Sequence, residues 1–349
     1  MKRFGNFFEK ITDFRNLILA YKKAVRGKRY WKSTLEVTFN LERELLKLRD
    51  ELRNGEYTPG AFRTFVIKEP KERMISAAPF RDRIVHHALC NIIEPIFERS
   101  FINDSYACRK GKGTHKALGK FKEFSKDNKF VLRGDINKFF PSIDHEVLLK
   151  IIARKIKDKK CLQLIERIVD FSNRQEDVIE YFDGDGLFTP IERKKGLPIG
   201  NQTSQFFANV YLDPLDHFVK ERLRCKNYLR YCDDFAVFSN DREELESVLV
   251  AVSDFIAGLR LKLNKRKTRI LKTSEGVNFL GFIVFPGVTR IRGENVRRFK
   301  KRLKENREKY KAGKMSLKSV RHSFCGWIGH AMHADSYRLR GLIFNDNVL

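Results

Sequence analysis

The chain has 349 residues, of which 42% are hydrophobic, so it can form two or three domains and is not a disordered polypeptide. Its 71 lysines and arginines outnumber its 44 acidic residues, and the formal charge of +27 favours a polyanionic partner, either a nucleic acid or an anionic membrane. No stretch approaches the roughly 18 consecutive apolar residues of a membrane span, and the N-terminus lacks the apolar run of a signal peptide. These features favour nucleic acid as the partner and predict a cytoplasmic protein.

Periodicity, glycines and prolines predict the elements in chain order. The first part contains two amphipathic helices, two strands joined by a turn, and a third helix, at 8–26, 39–54, 63–77 (turn at 69–71) and 80–100. The middle contains a basic glycine-bearing loop that runs into a helix, a strand buried on both faces, a helical span, a hairpin and another helix, at 106–118, 129–136, 145–172, 181–195 and 202–222. The last part contains a hairpin, a helix, two strand-like pieces and a basic helix, at 228–239, 241–260, 260–273, 277–285 and 297–311. Long helices mixed with short hairpins predict an α+β fold.

The six cysteines form no C-x-x-C pair, which predicts reduced and mostly buried thiols. The segment "HSFCGWIGHAMH" contains four potential zinc ligands, at His322, Cys325, His330 and His333. Their spacing matches no common zinc finger. A helix that packs through its aromatic residues is the favoured interpretation, and zinc is the alternative.

Three carboxylates follow buried strands in two separate parts of the chain. Asp135 ends "KFVLRGD", and Asp233 and Asp234 lie between apolar flanks in "LRYCDDFAVFSN". Desolvation disfavours charged carboxylates, and several together are unfavourable unless cations join them. Two Mg²⁺ ions roughly 4 Å apart supply that charge in enzymes that transfer phosphoryl groups. A lone Asp-Asp pair is more often a solvated turn, but three acids at strand ends of a basic chain predict a metal site.

These acids stand in a series of blocks that resembles the reverse transcriptases. "YCDDF" resembles the Y-x-D-D box of that family, and "DINKFFPSIDH" resembles its first catalytic-aspartate motif. The further blocks, in the family's order, are "PKERMISAAPFRDRIVHHAL", "GLPIGNQTSQFFANVYL", "LKLNKRKTRI" and "VNFLGF". The resemblance implies a right-hand polymerase fold, with fingers and palm over 1–285 and a basic helical thumb over 286–349, where 16 basic residues face 5 acidic ones from residue 290 onward.

Within that family the chain is similar to the enzymes of diversity-generating retroelements, which are bacterial or phage-encoded. Ile199 stands where most relatives have glutamine, and Ser204-Gln205 stands where most have Ser-Pro. The resemblance implies an enzyme that copies a template-repeat RNA into cDNA mutated at adenines, which diversifies a target gene. It also implies dNTPs, the RNA/cDNA hybrid and a small basic oligomeric accessory protein as partners.

The resemblance also implies residue roles. Asp135 and Asp233 are expected to bind two Mg²⁺ ions, with Asp234 completing the acidic cluster and the Ile136 carbonyl as a further ligand. On the nucleotide side, Lys68 and Arg73 are expected to hold the triphosphate, Phe140 to exclude a 2′-hydroxyl, Ile199 and Gln205 to lie near the new base pair, and Lys267 to protonate or neutralise pyrophosphate. Phe279, Leu280 and Gly281 are expected to support the primer end.

Each of these roles has a simpler alternative. Lys68 and Arg73 can lie on a solvated strand face, Phe140 and residues 279–281 can serve the core, and Lys267 can contact the template. The whole chain can also belong to another bacterial reverse transcriptase of the group II intron, retron or phage-defence type. A basic RNA-binding protein on a decayed polymerase scaffold is the rival of a different class, but Asp135, Asp233 and Asp234 are intact.

Overall fold

The computed structural model describes residues 3–68, 72–173 and 176–345. The turn predicted at 69–71 lies outside the described residues. The helices are α1 (Phe8–Ile11), α2 (Phe14–Ala24), α3 (Lys32–Phe39), α4 (Leu41–Asn54), α5 (Phe80–Glu98), α6 (Thr114–Asp127), α7 (Phe139–Ser142), α8 (His145–Ala153), α9 (Lys159–Asp170), α10 (Thr189–Glu192), α11 (Gln202–His217, continued as a π-helix over Phe218–Arg222), α12 (Arg242–Gly258), α13 (Gly293–Lys311), α14 (Leu317–Ala331) and α15 (Tyr337–Asn345). The strands are β1 (Arg63–Ile67), β2 (Arg73–Ala77), β3 (Phe130–Asp135), β4 (Tyr228–Tyr231), β5 (Asp234–Ser239), β6 (Arg269–Lys272), β7 (Val277–Phe279), β8 (Phe282–Val284) and β9 (Thr289–Ile291).

A four-stranded antiparallel sheet with the order β4-β5-β3-β6 forms the centre of the molecule. Alternate residues of its strands point to opposite faces, and each face has its own apolar core. Leu132 and Val237 face a large core built from α2, α4, α5, α8, α9, α11 and α12. Val131 and Phe238 face a smaller core that includes α6 and the sheet of β7, β8 and β9. The prediction that 129–136 is a strand buried on both faces is therefore confirmed.

The hairpin of β1 and β2 stands away from these cores. Its strands pair in register from Arg63↔Ala77 to Ile67↔Arg73, and every residue of β1 is exposed. The base of the hairpin is held because Ser76 donates its backbone N–H to the Ile199 carbonyl at 3.1 Å. This contact joins the hairpin to the segment that precedes α11.

The last three helices pack on one another around aromatic rings. Phe299 of α13 stacks on Trp327 of α14 with ring centroids 4.0 Å apart, and Phe324 and Phe344 complete the cluster. The helix predicted over "HSFCGWIGHAMH" is therefore confirmed, and its aromatic residues pack as expected. The proposed boundary at 285 falls inside the three-stranded sheet, because β9 pairs with β8 in the register Phe282↔Ile291.

Several predicted elements differ in detail. Polar caps divide two long helical spans, because Asp13 accepts from the backbone of Arg15 and Asn16 and Asp158 accepts from Cys161 at 3.1 Å. Residues 8–26 and 145–172 thus each form two helices. The predicted hairpin at 181–195 is wrong: the described part of this segment is a loop with the short helix α10. Ion pairs of Arg193 with Asp144 and Asp185 hold that loop in place. In the described residues, no helix is long and apolar enough to cross a bilayer.

Candidate active site

The three acids that the sequence singled out converge at one end of the central sheet. Asp135, the last residue of β3, lies opposite Asp234, the first residue of β5. Asp233 lies in the two-residue turn that joins β4 to β5, because Tyr231 pairs with Asp234. Cys232, the other residue of this turn, has a φ of 58°, a left-handed conformation that non-glycine residues adopt at an energetic cost.

Glycine is required beside Asp135 because of a close approach across the sheet. Gly134 lies opposite Phe235, and a Cβ atom at position 134 would overlap the ring of Phe235. The aromatic ring therefore covers the backbone next to Asp135, and Phe235 itself is buried. The pair fixes the spacing of β3 and β5 where the acids meet.

Two cations contact the acidic cluster. Lys267 Nζ lies 2.7 and 2.9 Å from the two carboxylate oxygens of Asp135. Arg133 Nη2 lies 3.2 Å from Asp234 Oδ1. Arg133 was missed by sequence reasoning, although it lies two residues before Asp135 and so on the same face of β3. The positive charges offset the repulsion among the carboxylates.

Burial and the charges of neighbouring carboxylates disfavour the ionised forms of Asp233 and Asp234. Burial, reinforced by the charges of Asp234 and Asp135, raises the pKa of Asp233 to about 6. Burial also raises the pKa of Asp234, and the charge of Arg133 offsets part of this rise. A perturbed pKa of this kind is typical of functional carboxylates.

The carboxylates of Asp135, Asp233 and Asp234 suit a hard divalent cation, because Mg²⁺ prefers oxygen ligands such as carboxylates. Ile136, whose carbonyl is the expected further ligand, is buried and forms an antiparallel bridge with Leu263. In the described residues, no three acidic, cysteine or histidine side chains are gathered closely enough to enclose an ion. The Asp135 carboxylate contacts the Lys267 ammonium group instead.

A buried arginine supports the turn that contains Asp233, and the sequence reasoning missed it. Arg230 of β4 is fully buried and donates from Nη1 to the Cys232 carbonyl at 2.9 Å. Its Nε and Nη2 atoms bind both oxygens of the buried Asp216 of α11, at 2.7 and 2.6 Å. The signal was available, because an arginine two residues before Cys232 interrupts an otherwise apolar strand.

The segment 196–201 connects the base of the β1–β2 hairpin to the region after Asp135. Leu197 donates its N–H to the Phe140 carbonyl at 2.9 Å, and the Asn201 side chain accepts from Ala78 N at 3.2 Å. Ile199 lies between these contacts and is half-buried, and the Phe140 ring is also half-buried. The hydrogen bond of Leu197 thus joins the segment that contains Ile199 to the backbone of Phe140. Gln205 is exposed on the first turn of α11.

Lys68 and Arg73 do not join the acidic cluster. Both are exposed, Lys68 just after β1 and Arg73 at the start of β2. Arg73 lies three residues from Ser76, which corresponds to about 10 Å of strand. These side chains therefore lie towards the far end of the hairpin from its contact with Ile199.

The expected primer-end residues form a second tight turn. Leu280 and Gly281 join β7 to β8 with φ values of 45° and 90°, and Phe279 pairs with Phe282. The Phe279 ring is buried and stacks on Phe121 with centroids 4.4 Å apart, so it serves the core. The turn itself is half-buried, and its Gly281 carbonyl accepts from Asn295 Nδ2 at 3.1 Å.

An antiparallel sheet that gathers three acids at a tight turn, flanked by helices and by a basic helical C-terminal region, defines a nucleotidyltransferase of the polymerase class. Residues 66–284 match the family model described as "Reverse transcriptase (RNA-dependent DNA polymerase)". The chain belongs to the reverse transcriptase family, and its enzymatic class is that of an RNA-directed DNA polymerase.

Three relatives align with between a third and about two thirds of the chain. Protein YkfC of Escherichia coli (strain K12) is 28% identical over 278 residues, which cover 68% of this chain and 70% of YkfC. The group II intron-encoded protein LtrA of Lactococcus lactis subsp. cremoris is 24% identical over 69% of this chain and 49% of LtrA. Nuclear intron maturase 1 of Arabidopsis thaliana is 32% identical over 121 residues, a third of this chain and 17% of the maturase. The chain thus spans about half of LtrA and a smaller share of the plant maturase.

Proposed function

We propose that this reverse transcriptase makes an error-prone DNA copy of a template-repeat RNA, with mutations at template adenines that diversify a target gene. The proposal depends on the three acids as the catalytic centre and on Ile199 as the source of errors. A small basic oligomeric accessory protein belongs to the same proposal as a partner for the polymerase and its RNA.

In this proposal Asp135, Asp233 and the Ile136 carbonyl hold two Mg²⁺ ions, and Asp234 completes the acidic cluster. When bound, the ions supply activation of the primer hydroxyl and stabilisation of the leaving oxygen. Lys267, which contacts Asp135, would lie beside the leaving pyrophosphate and would neutralise or protonate it. The 2.7 Å contact between Lys267 and Asp135 supports this role, because it places a cation beside the proposed catalytic acids.

Other residues bind the nucleotide and the nucleic acid. Lys68 and Arg73 close over the triphosphate from the β1–β2 hairpin, and the Phe140 ring packs under the sugar and excludes a 2′-hydroxyl. Gln205 faces the new base pair. The turn at Leu280 and Gly281, backed by the Phe279 ring, supports the primer end, and α13 lies along the duplex backbone, where contacts bring affinity but little sequence information.

The observation that carries the error-prone function is the apolar side chain at position 199. Ile199 lies two residues after Leu197, whose N–H binds the Phe140 carbonyl, and its own carbonyl binds Ser76 of the hairpin. A side chain here lies between the two elements that enclose the nucleotide in this proposal. Isoleucine forms no hydrogen bond to a base or sugar, and apolar shape alone discriminates by only roughly 1–3 kcal/mol.

The test is to sequence cDNA made by the purified enzyme from a defined RNA. Wild type is expected to misincorporate mainly opposite adenines, and Ile199→Gln is expected to lower that error rate about tenfold. Ile191→Gln is the matched control, because Ile191 is exposed in α10 and its replacement leaves the spectrum unchanged. An unaltered spectrum in Ile199→Gln would remove Ile199 from the explanation.

An intron-type reverse transcriptase is the second candidate, and the similarity to LtrA favours it. The two candidates differ in the cDNA that they make. Errors that are rare and spread evenly over the four template bases would support the intron-type enzyme and contradict the diversity-generating one.

A further inference from the structure

The segment 176–192 is an acidic part of a strongly basic chain. It contains six acidic residues and no lysine or arginine, whereas the whole chain has a formal charge of +27. Asp177, Asp183 and Glu192 are exposed, and none of the three forms an ion pair with a described residue. Because a negative surface repels phosphate groups, this segment is unsuited to binding RNA or DNA.

The same segment exposes large apolar side chains. Ile179, Leu187 and Phe188 are 61%, 71% and 64% exposed, and Tyr181 and Ile191 are also exposed. The Tyr181 hydroxyl donates to the Leu187 carbonyl at 3.0 Å, so Tyr181 lies against Leu187 and Phe188 in one patch. Single exposed apolar residues are common on protein surfaces, but several that lie together indicate an interaction surface.

Contacts around Phe182 give this surface a defined shape. Asp185 accepts from the backbone N–H of Phe182 at 2.8 Å and forms an ion pair with Arg193. The Arg193 guanidinium lies 5.5 Å from the centre of the Phe182 ring, and Lys262 Nζ lies 5.2 Å from it. A surface that is already formed loses less conformational entropy when a partner binds.

The segment also contacts the motif that contains Asp135. Glu180 Oε1 accepts from Asn137 Nδ2 at 3.0 Å, and Glu176 forms an ion pair with Lys138. Asn137 and Lys138 follow Asp135 by two and three residues. Two side-chain contacts therefore join the apolar and acidic surface to the stretch of chain that begins with Asp135.

We propose that 176–192 is a docking surface for a basic protein whose own contact face has an apolar centre. Leu187 and Phe188 form the centre of the contact, and Asp183 and Glu192 pair with lysines or arginines of the partner at its edge. A basic protein is the occupant that fits, because apolar side chains need an apolar surface to cover them and the charge around them is negative. This inference rests on the proposed function, whose small basic accessory protein has the required charge.

The test measures how tightly the small basic accessory protein, purified on its own, binds the full-length enzyme in the absence of nucleic acid. Biolayer interferometry gives the affinity and both rate constants. Phe188→Ser is expected to weaken binding about tenfold or more, because apolar anchors at the centre of an interface contribute most of its binding energy. Val250→Ser is the matched control, since Val250 is 62% exposed on α12 and lies outside the segment, and it should change the affinity less than about twofold.

A charge variant tests the acidic edge of the surface. Asp183→Asn is expected to slow association about threefold at low salt and to leave dissociation nearly unchanged, and the difference should disappear at high salt. Asp254→Asn, which removes an exposed acid of α12, is the matched control and should leave the association rate unchanged. The variants should keep the melting temperature of wild type, because the replaced side chains are exposed.

Hydrogen exchange locates the contact. In the complex, the amides of 176–192 are expected to exchange more slowly than in the free enzyme. No binding to wild type, equal binding of Phe188→Ser and wild type, or protection confined to another region would each overturn the proposal. Self-association of the enzyme alone that Phe188→Ser abolishes, measured by sedimentation velocity, would also overturn it, because a second copy would then cover the surface.

These outcomes are separate from those of the proposed function, because they are measured without nucleic acid or turnover. Errors spread evenly over the four template bases would contradict the error-prone copying, while a basic protein bound at 176–192 would still support the docking surface. Adenine-specific errors together with undiminished binding by Phe188→Ser would leave the proposed function standing, and only the docking surface would fail.

Discussion

The molecule contains two tight turns of two residues each, and they differ in the interactions that support them. The turn of Cys232 and Asp233 carries charge and is supported from below by the buried Arg230. The turn of Leu280 and Gly281 is supported by apolar packing, since Phe279 and Phe282 on either side of it are buried. Both turns use positive φ values to reverse the chain within two residues.

The difference lies in what each turn does to stability. Burial of Phe279 and Phe282 stabilises the fold by removing apolar surface from water. Burial of Asp233 opposes folding, because its pKa is raised to about 6 and its charged form is disfavoured. A buried charge that destabilises the fold is expected where a function requires it.

Replacing Arg230, which supports the charged turn, should have the largest effect on stability. Arg230→Met leaves the carboxylate of Asp216 buried without its cation and frees the Cys232 carbonyl, and we expect a loss of about 3–5 kcal/mol in the free energy of unfolding. Urea denaturation measures this loss. Arg242→Met, which removes an exposed pair with Glu246, is the matched control and should change stability by less than about 0.5 kcal/mol.

A double variant tests whether the lost charge is the cause. Arg230→Met with Asp216→Leu removes both buried charges, so stability should recover by more than half. If the single and double variants are equally unstable, the role of the Arg230–Asp216 pair is wrong.

Removing the charge of Asp233 should have a smaller effect on stability, and it should be stabilising. Asp233→Asn should stabilise the metal-free protein by roughly 1–3 kcal/mol at pH 7 to 8. Below pH 3.8 the carboxyl is protonated in both the folded and the unfolded states, so the variant and wild type should then be equally stable. Between about pH 4 and pH 6 only the unfolded state ionises, so wild type loses stability relative to the variant as the pH rises.

Denaturation at several pH values between 4 and 8 measures this difference. A gap that stays constant over that range would show that the Asp233 carboxyl is not perturbed. A gap that closes as the pH rises would contradict the sign of the pKa shift.

The smallest effect is expected at the apolar turn. Gly281→Ala places a side chain at a φ of 90°, a conformation that costs roughly 1–2 kcal/mol for residues other than glycine. The matched control is Gly119→Ala in α6, where a Cβ atom meets open space, and this change should stabilise the protein by up to about 1 kcal/mol. A neutral Gly281→Ala would mean that the turn can relax to another conformation.

The two turns also show how much of the structure could be predicted from the sequence. The pattern of apolar residues around Asp233 and Asp234 predicted their hairpin, and the strand before Asp135 predicted where the three acids meet. Apolar periodicity and turn residues identify such elements because both are local properties of the chain. The α+β fold was predicted correctly for the same reason.

The contacts that hold the site together could not be predicted in the same way. Arg230 contacts Asp216, which lies on another element, and Lys267 reaches Asp135 across more than a hundred residues. The hairpin predicted at 181–195 was wrong because turn signals do not report the ion pairs of Arg193. Such pairings depend on tertiary distance, which a local pattern does not contain.

Extension of a DNA primer on an RNA template in the presence of Mg²⁺ tests the catalytic assignment most directly. Asp135→Asn and Asp233→Asn should each lower the rate about 10³-fold or more, equivalent to at least ~4 kcal/mol of transition-state stabilisation. Asp241→Asn, at the exposed start of α12, is the matched control and should extend the primer within about twofold of wild type. Polymerisation by either of the first two variants at the wild-type rate would contradict the assignment of these acids as the catalytic centre.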